Sequence, residues 1–164
     1  MASGDTLLVL APYDGEPPAA NFAQLDQRNV APVLDFDDTT GESIEFGGVL
    51  PRNYGGGGVT VTIGWMATSA VTGSVVWGVS FKSFSDDADD LDSKAFAASN
   101  NATAPAASAS GEIVYDTIAF TDGADMDSVA AAEYFRLKLE RLPADGSDDM
   151  VGDAELISLE IKET

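Results

Sequence analysis

Alternation of apolar and polar residues with a period of two is the strongest pattern along the chain. In residues 59–65 every second side chain is apolar, ending at Trp65, and threonine or glycine fills the positions between. Residues 73–82 repeat the pattern, with Trp77 on the apolar face. A period of two is that of a half-buried β-strand. We therefore predict two strands here, joined by a hairpin connection.

Several further segments carry the same signal. Residues 112–120 differ from the others because apolar residues occupy both faces, which indicates a strand at a packed edge or an interface. Residues 88–98 and 127–132 predict no more than short helical turns. The additional predicted strands are 6–10, 33–36, 43–50, 112–120, 133–141 and 157–162.

About eight strands, with no helix long enough to cross between parallel strands, predict an all-β fold. Long connections favour a two-sheet antiparallel jelly-roll-like sandwich with short helical turns in its loops. A seven-stranded immunoglobulin-like sandwich that lacks the Cys-Trp-Cys signature is the competing arrangement. The length of 164 residues fits a single domain, 1–164.

Three connections between the predicted strands are unusual. The first contains four prolines together with Tyr13, Phe22 and Leu25. A structureless segment of that length is normally functional or lies against another surface. The second contains four consecutive glycines, but neither their spacing nor the strand that follows is typical of a phosphate-binding loop. The three connections are 11–32, 51–58 and 85–111.

The charge balance excludes several classes of partner. The chain has 28 Asp and Glu against 8 Lys and Arg, a formal net charge of −20. Phosphate backbones and anionic lipids would be repelled, so we predict no nucleic acid and no membrane as partners. Cysteine and histidine are absent, which excludes thiol nucleophiles, imidazole triads and metal sites built on either residue. Without a signal segment or a long apolar run, the chain is expected to be made in the cytoplasm in soluble form.

Acidic clusters could supply oxygen ligands for calcium. None has the spacing of a calcium-binding loop, and clusters arise in any chain this acidic, so solvated loops are the better interpretation. The many carboxylates also offer no way to single out a glycosidase pair. We predict no enzyme activity, no cofactor and no metal. The clusters are Asp35, Asp37 and Asp38; Asp86, Asp87, Asp89, Asp90 and Asp92; and Asp122, Asp125 and Asp127.

Aromatic and basic residues are the remaining candidates for binding. Trp65 and Trp77 are in phase with the apolar faces of their strands, which favours core packing over stacking on a sugar. Tyr54, before the four glycines, is the better candidate for an exposed aromatic. Arg28 and Arg52 each precede an asparagine in a loop. They could anchor loops internally through carbonyls and carboxylates, or contact a neighbouring subunit.

Short motifs spread over most of the chain carry a family resemblance: 21–29 (NFAQLDQRN), 32–37 (PVLDFD), 50–54 (LPRNY), 118–123 (IAFTDG), 135–137 (FRL) and 153–156 (DAEL). Together they resemble motifs of small, acidic, all-β structural proteins of tailed bacteriophages. These motifs are structural rather than catalytic.

The resemblance implies a head decoration (cement) protein that binds the outer capsid surface of the virion and stabilises it through contacts between subunits. The implied partners are the major capsid protein and further copies of this chain in a homotrimer. Residues 11–32 would form an arm that grips neighbours, unless they fold back over their own sandwich. The residues expected at the partner interface are Tyr13, Phe22, Leu25, Arg28, Arg52 and Tyr54.

Two alternatives remain open at this point. One is a carbohydrate-binding or adhesin-like β-sandwich module, in which exposed aromatic side chains bind glycans. The other is a phage tail component with the same architecture. Solvent exposure of Trp65 or Trp77 would favour the glycan-binding alternative, whereas shielding of both would favour packing.

Overall fold

The computed structural model describes residues 3–164, which form ten β-strands and two short 3-10 turns. The turns span Pro12–Asp14 and Ala124–Met126. The strands are β1 (Thr6–Leu10), β2 (Gln24–Arg28), β3 (Ala31–Phe36), β4 (Ser43–Val49), β5 (Val59–Ala67), β6 (Ser74–Phe84), β7 (Asn100–Pro105), β8 (Val114–Phe120), β9 (Tyr134–Arg141) and β10 (Ala154–Glu163).

The strands form two antiparallel sheets that pack face to face as a sandwich. Sheet A has the order β2-β3-β10-β5-β8, with β1 also paired to β10. Sheet B has the order β4-β9-β6-β7. The predicted all-β, two-sheet antiparallel sandwich is confirmed, with ten strands in the described residues rather than about eight.

Strand β10 occupies the centre of sheet A. Along one edge it pairs with β5, from Ala154 opposite Ala67 to Glu163 opposite Val59. Along its other edge it pairs first with β3 and then with β1. β10 therefore connects β1 and β3 on one side to β5 on the other.

Aromatic side chains fill the space between the sheets. Trp65 of β5 and Trp77 of β6 meet edge to face with ring centroids 5.9 Å apart, and neither is accessible to solvent. Phe36 packs edge to face on Trp77 at 5.0 Å. Such pairs contribute about 0.5–1.5 kcal/mol each beyond the burial of their area. The prediction that both tryptophans belong to the core is confirmed, so neither can stack on a sugar.

The predicted hairpin between the two most regular strands is wrong. β5 lies in sheet A and β6 lies in sheet B, so the connection between them crosses from one sheet to the other. Alternation identifies a strand with one buried face, but it does not identify the neighbour to which the strand is hydrogen-bonded.

Two strands lie in segments predicted to be loops. β2 reads QLDQR and its residues are exposed apart from the half-buried Arg28, while β7 reads NNATAP and buries only Ala104. Both are edge strands of their sheets. An edge strand is held by backbone hydrogen bonds from one neighbour and needs few apolar side chains, which explains why the hydrophobic pattern missed both.

Residues 11–23 lie along the free edge of β4. The amide of Glu16 donates to the carbonyl of Glu45 at 2.7 Å, and Glu45 donates back at 3.0 Å. Farther along, the amide of Ala23 donates to the carbonyl of Ser43 at 3.1 Å. The proline-rich segment thus folds back over its own sandwich and covers an edge that would otherwise be open.

The helical turns in the long loops occur at Pro12–Asp14 and Ala124–Met126 rather than at the predicted positions. Residues 88–98 form turns without a helix. In 127–132, Asp127, Ser128 and Ala132 have φ values of 51°, 58° and 70°. These left-handed conformations are incompatible with a right-handed helix.

One ion pair is completely enclosed by the sandwich. The guanidinium of Arg141 binds both carboxylate oxygens of Asp148, at 2.9 and 3.1 Å. It also donates to the carbonyls of Met150 and Gly152, each at 2.9 Å. The side chains of Arg141 and Asp148 are 0% and 1% exposed, so this pair connects the end of β9 to the following loop in the protein interior.

Within the described residues, no helix has the length and apolar character required to span a membrane.

Candidate functional site

An apolar cleft of about 260 Å³ opens at one edge of the sandwich, and we call it the Tyr13 cleft. Three of the side chains on its rim are Tyr13, Phe22 and Leu25, which are 64%, 40% and 54% exposed. All three were singled out from the sequence. The structure therefore brings these predicted residues together at one place.

The 3-10 turn sets the position of Tyr13. The carboxylate of Asp14 accepts a hydrogen bond from the amide of Ala11 at 2.7 Å, and the amide of Asp14 donates to the carbonyl of Ala11 at 2.9 Å. Pro12 is buried, so the next side chain points outward. The sequence Ala-Pro-Tyr-Asp thus holds the phenol ring at the mouth of the cleft.

The floor of the Tyr13 cleft is the sandwich core. Leu34 of β3 and Ile44 of β4 line it from the two sheets. Gly15 allows the segment to approach them, because a Cβ there would lie 2.8 Å from the Ile44 side chain and 3.1 Å from the carbonyl of Pro12. The cleft is thus shaped by packed residues and is present without a ligand.

A second cleft of about 390 Å³ adjoins the first, since Leu25 lines both. We call it the acidic cleft. Apart from Leu25 and Gln24, its lining consists of the carboxylates Asp26, Asp35, Asp37, Glu42 and Asp153.

The sheet register gathers part of this acidic group. Gln24 of β2, Asp35 of β3 and Glu155 of β10 are successive partners across three strands. Asp35 therefore stands directly opposite another carboxylate, an unfavourable arrangement for two like charges. Glu155 is neutralised by Arg28, whose Nη1 lies 2.5 Å from it, whereas Oδ1 of Asp35 is buried without a hydrogen-bond partner.

The two carboxyls at the end of β3 titrate very differently. Burial, followed by repulsion from Asp153 and Glu155, raises the pKa of Asp35 to about 6. The pKa of Asp37 is lowered to about 2, because its carboxylate accepts hydrogen bonds from the hydroxyl and amide of Thr39 and the amide of Thr40. Asp37 is therefore a structural anion of the turn, while Asp35 can take up a proton in mildly acidic solution.

Among the described residues, Asp37, Asp38 and Asp153 form the group that could hold a metal ion, with one oxygen from each within 4.8 Å of the others. Part of this acidic set has structural partners already. The Asp38 carboxylate accepts a hydrogen bond from the amide of Gly152, and Asp37 closes its turn. Burial, followed by repulsion from Asp37 and Asp38, raises the pKa of Asp153.

The other three predicted interface residues lie elsewhere. Arg28 binds Glu155 and donates to the carbonyl of Ala67 at 3.0 Å, so it anchors loops within the chain. Arg52 is exposed in a turn. Neither residue lines the Tyr13 cleft.

Tyr54 is half-buried, contrary to its predicted exposure. Its hydroxyl donates to Asp122 at 2.8 Å and accepts from the amide of Gly58 at 2.9 Å. Burial and the bond to Asp122 raise the pKa of this phenol to about 12. The ring therefore organises the glycine-rich turn and is not a free stacking surface.

Sequence reasoning did not identify the acidic cleft as a unit. Asp26, Glu42 and Asp153 come from three different segments, and the sequence shows Asp35 and Asp37 only as part of a local cluster. The available signal was Asn29, since asparagine tolerates the positive φ of a tight hairpin turn. It would have predicted β2 as the partner of β3 and placed Asp26 near Asp35.

Comparison with known proteins gives structural similarity only. No family model and no curated protein matches the chain. Its structure is similar to that of the xylan-binding module CBM15, with 11% identity and a TM-score of 0.51 over 96% of this chain and 97% of that one. The CBM22-1 xylan-binding domain from Paenibacillus barcinonensis Xyn10C gives 14% identity and a TM-score of 0.48 over 99% and 96%.

These comparisons contradict the expectation of a capsid decoration protein. The solved structures compared with the chain are xylan-binding modules rather than capsid proteins, so the predicted decoration function is wrong. The β-sandwich fold shared with CBM15 is also the fold expected for the alternative, a carbohydrate-binding module.

Proposed function

We propose that the protein is a non-catalytic carbohydrate-binding module and that the Tyr13 cleft, with the adjoining acidic cleft, is its ligand site. The observation that carries this proposal is the pairing of exposed Tyr13 and Phe22 beside a row of carboxylates. Sugars need both kinds of partner, because a pyranose ring has an apolar face and a polar edge.

The apolar part of the site would contact the face of the sugar. The rings of Tyr13 and Phe22 border a cleft smaller than the roughly 300–1,000 Å³ that encloses a drug-sized ligand, so one ring of a longer chain fits there. Aromatic side chains provide a large rigid contact area at low entropic cost. Because both tryptophans are buried in the core, Tyr13 and Phe22 would provide the aromatic contact with the sugar.

The polar part would receive the hydroxyl groups. Carboxylates accept hydrogen bonds and sugar hydroxyls donate them. Asp26 and Glu42 are therefore suitable acceptors for the hydroxyls of the sugar that follows the one in the Tyr13 cleft. Gln24 can donate as well as accept. The shared residue Leu25 places these groups within reach of a ligand that occupies the Tyr13 cleft.

The structural neighbour indicates which polysaccharide to test first. CBM15 is a xylan-binding module with the same overall fold, and soluble xylan is therefore the first ligand for this chain.

The test is affinity gel electrophoresis in xylan, followed by calorimetry with xylohexaose. We expect the natural chain to bind and the double variant Tyr13→Ala with Phe22→Ala to lose at least tenfold in affinity. The matched control is Tyr115→Ala, because Tyr115 is a tyrosine of equal exposure, 65%, on the outer face of sheet A.

Two results would count against the proposal. One is equal loss of affinity in the control and in the double variant. The other is failure of the natural chain to bind xylan, cellulose, mannan and arabinan in turn. Thermal unfolding of each variant separates lost binding from lost folding, and we expect small changes because the removed rings are exposed.

A further inference from the structure

The outer face of sheet B carries a second group of chemically active side chains, away from both clefts. Three cations occur there in a chain with only eight, namely Lys82 of β6 with Arg136 and Lys138 of β9. Arg136 pairs with Glu45 at 2.7 Å and Lys138 pairs with Glu140 at 3.1 Å. In the described part of the chain, Lys82 has no carboxylate partner.

Two of these ammonium groups contact the same phenylalanine ring. Nζ of Lys82 lies 4.5 Å from the ring centroid of Phe96, and Nζ of Lys138 lies 5.5 Å from it. The two ammonium groups are therefore separated by no more than the sum of these distances. Each is held by a cation–π contact, which fixes its position at a small entropic cost.

A buried hydroxyl without a partner lies in the same patch. Ser80 precedes Lys82 by two residues on β6 and is the cross-strand partner of Lys138, so all three side chains point to the outer face. Ser80 is 1% exposed, and its Oγ has no hydrogen-bond partner. Buried polar groups are normally paired, and one left unpaired destabilises the free protein.

We propose that Ser80, Lys82 and Lys138 form a subsite for the carboxylate of an acidic sugar, a uronic acid. This inference rests on the proposed function, because it assumes that the ligand is a sugar. The Ser80 hydroxyl would donate one hydrogen bond and the two ammonium groups would each donate a charge-assisted one. Phe96 would contact the ring of the same sugar.

The overall charge of the chain favours a single carboxylate over a polyanion. A net charge of −20 repels a densely charged polymer before any local contact forms. A uronic acid carries a single charge on an otherwise neutral ring, so its repulsion from the chain is weaker, and Lys82 and Lys138 would attract its carboxylate at short range.

The test is a ¹⁵N NMR titration with sodium D-glucuronate, with D-glucose as the matched neutral sugar and acetate as the carboxylate without a sugar. We expect saturable shifts of the Ser80, Lys82 and Lys138 amides with glucuronate only. Lys82→Ala should weaken this binding about tenfold or more, the loss expected for a charge-assisted hydrogen bond. Lys162→Ala, a lysine on the outer face of sheet A, should leave it unchanged.

A second variant separates binding from folding. Ser80→Ala removes a hydroxyl that bonds to nothing in the free protein, so the melting temperature should stay equal or rise while glucuronate binding weakens. Unchanged binding in Lys82→Ala, or equal affinity for acetate and glucuronate, would overturn the proposal.

The two proposals fail in different ways. The proposed function alone would be refuted if the protein bound no neutral polysaccharide but still showed glucuronate shifts, both in the natural chain and in the Tyr13→Ala, Phe22→Ala double variant. Xylan binding without glucuronate shifts at sheet B would refute only this inference.

Discussion

Replacing Asp35 by asparagine should stabilise the protein at neutral pH. The folded chain raises the pKa of this carboxyl from 3.8 to about 6, through burial and through Asp153 and Glu155. A raised carboxyl pKa means that the folded state binds the proton more tightly, so ionisation of Asp35 destabilises the fold. The destabilisation is absent below the unfolded pKa of 3.8 and complete above the folded pKa of about 6.

The magnitude follows from the shift. About two pKa units correspond to an upper limit of about 3 kcal/mol. Because the side chain is partly open to solvent, screening reduces this to about 1–2 kcal/mol. Asparagine has nearly the same shape, and its amide can donate to the surrounding carboxylates.

Urea denaturation followed by tryptophan fluorescence gives the free energy of unfolding at each pH. We expect the Asp35→Asn variant to gain about 1–2 kcal/mol at pH 7.5 and about 0.5 kcal/mol or less at pH 4. Asp92→Asn is the control, because Asp92 is exposed in a loop outside the acidic cleft, and the free energy of unfolding should change little. A variant less stable than the natural chain at pH 7.5, or a gain of the same size at pH 4, would refute this account of Asp35.

Three further perturbations test the fold. Arg141→Met should cost about 3–5 kcal/mol in urea denaturation, because it leaves the buried Asp148 charge unpaired. Adding Asp148→Asn should recover part of that loss, and a cost under 1 kcal/mol for Arg141→Met alone would contradict the buried pair. Gly58→Ala should destabilise more than Gly56→Ala, since both have φ above 80° but only at Gly58 would a Cβ meet a carbonyl, that of Phe120 at 2.3 Å. We expect about 1–2 kcal/mol for Gly56→Ala and a larger loss for Gly58→Ala, and equal losses would show that the close approach does not matter. Acrylamide should quench the fluorescence of the folded protein far less than that of the urea-unfolded chain, and efficient quenching of the folded protein would contradict the burial of Trp65 and Trp77.

The strands with a continuous buried face were predictable from the sequence. β9 alternates strictly, and β5 and β6 have an apolar residue at every second position over 59–65 and 75–81, because one face of each strand packs against the opposite sheet. β2 was missed because it is an edge strand with only one apolar residue, Leu25, and its hairpin turn contains Val30 at φ 73°. A β-branched residue is rare in that conformation, so Val30 hides the turn, and Asn29 is the one local residue that indicates it.

The candidate site was predictable only in its apolar half. Tyr13, Phe22 and Leu25 stand out as apolar residues in a proline-rich segment, and the structure groups them at one cleft. The acidic half depends on the pairing of β3 with β10, which brings Asp153 and Glu155 to Asp35 from the far end of the chain. Sheet pairing over that separation has no local signature in a single sequence.

The central position of β10 has a consequence for synthesis on the ribosome. Until β10 emerges, β5 lacks the neighbour that pairs with it from Val59 to Ala67, and β1 and β3 have no common partner. Sheet A therefore closes only after β10 has left the ribosome, and until then the nascent chain has open strand edges. Late, non-local pairing of this kind slows folding, so charge repulsion among nascent chains of this very acidic protein would protect them from association during the delay.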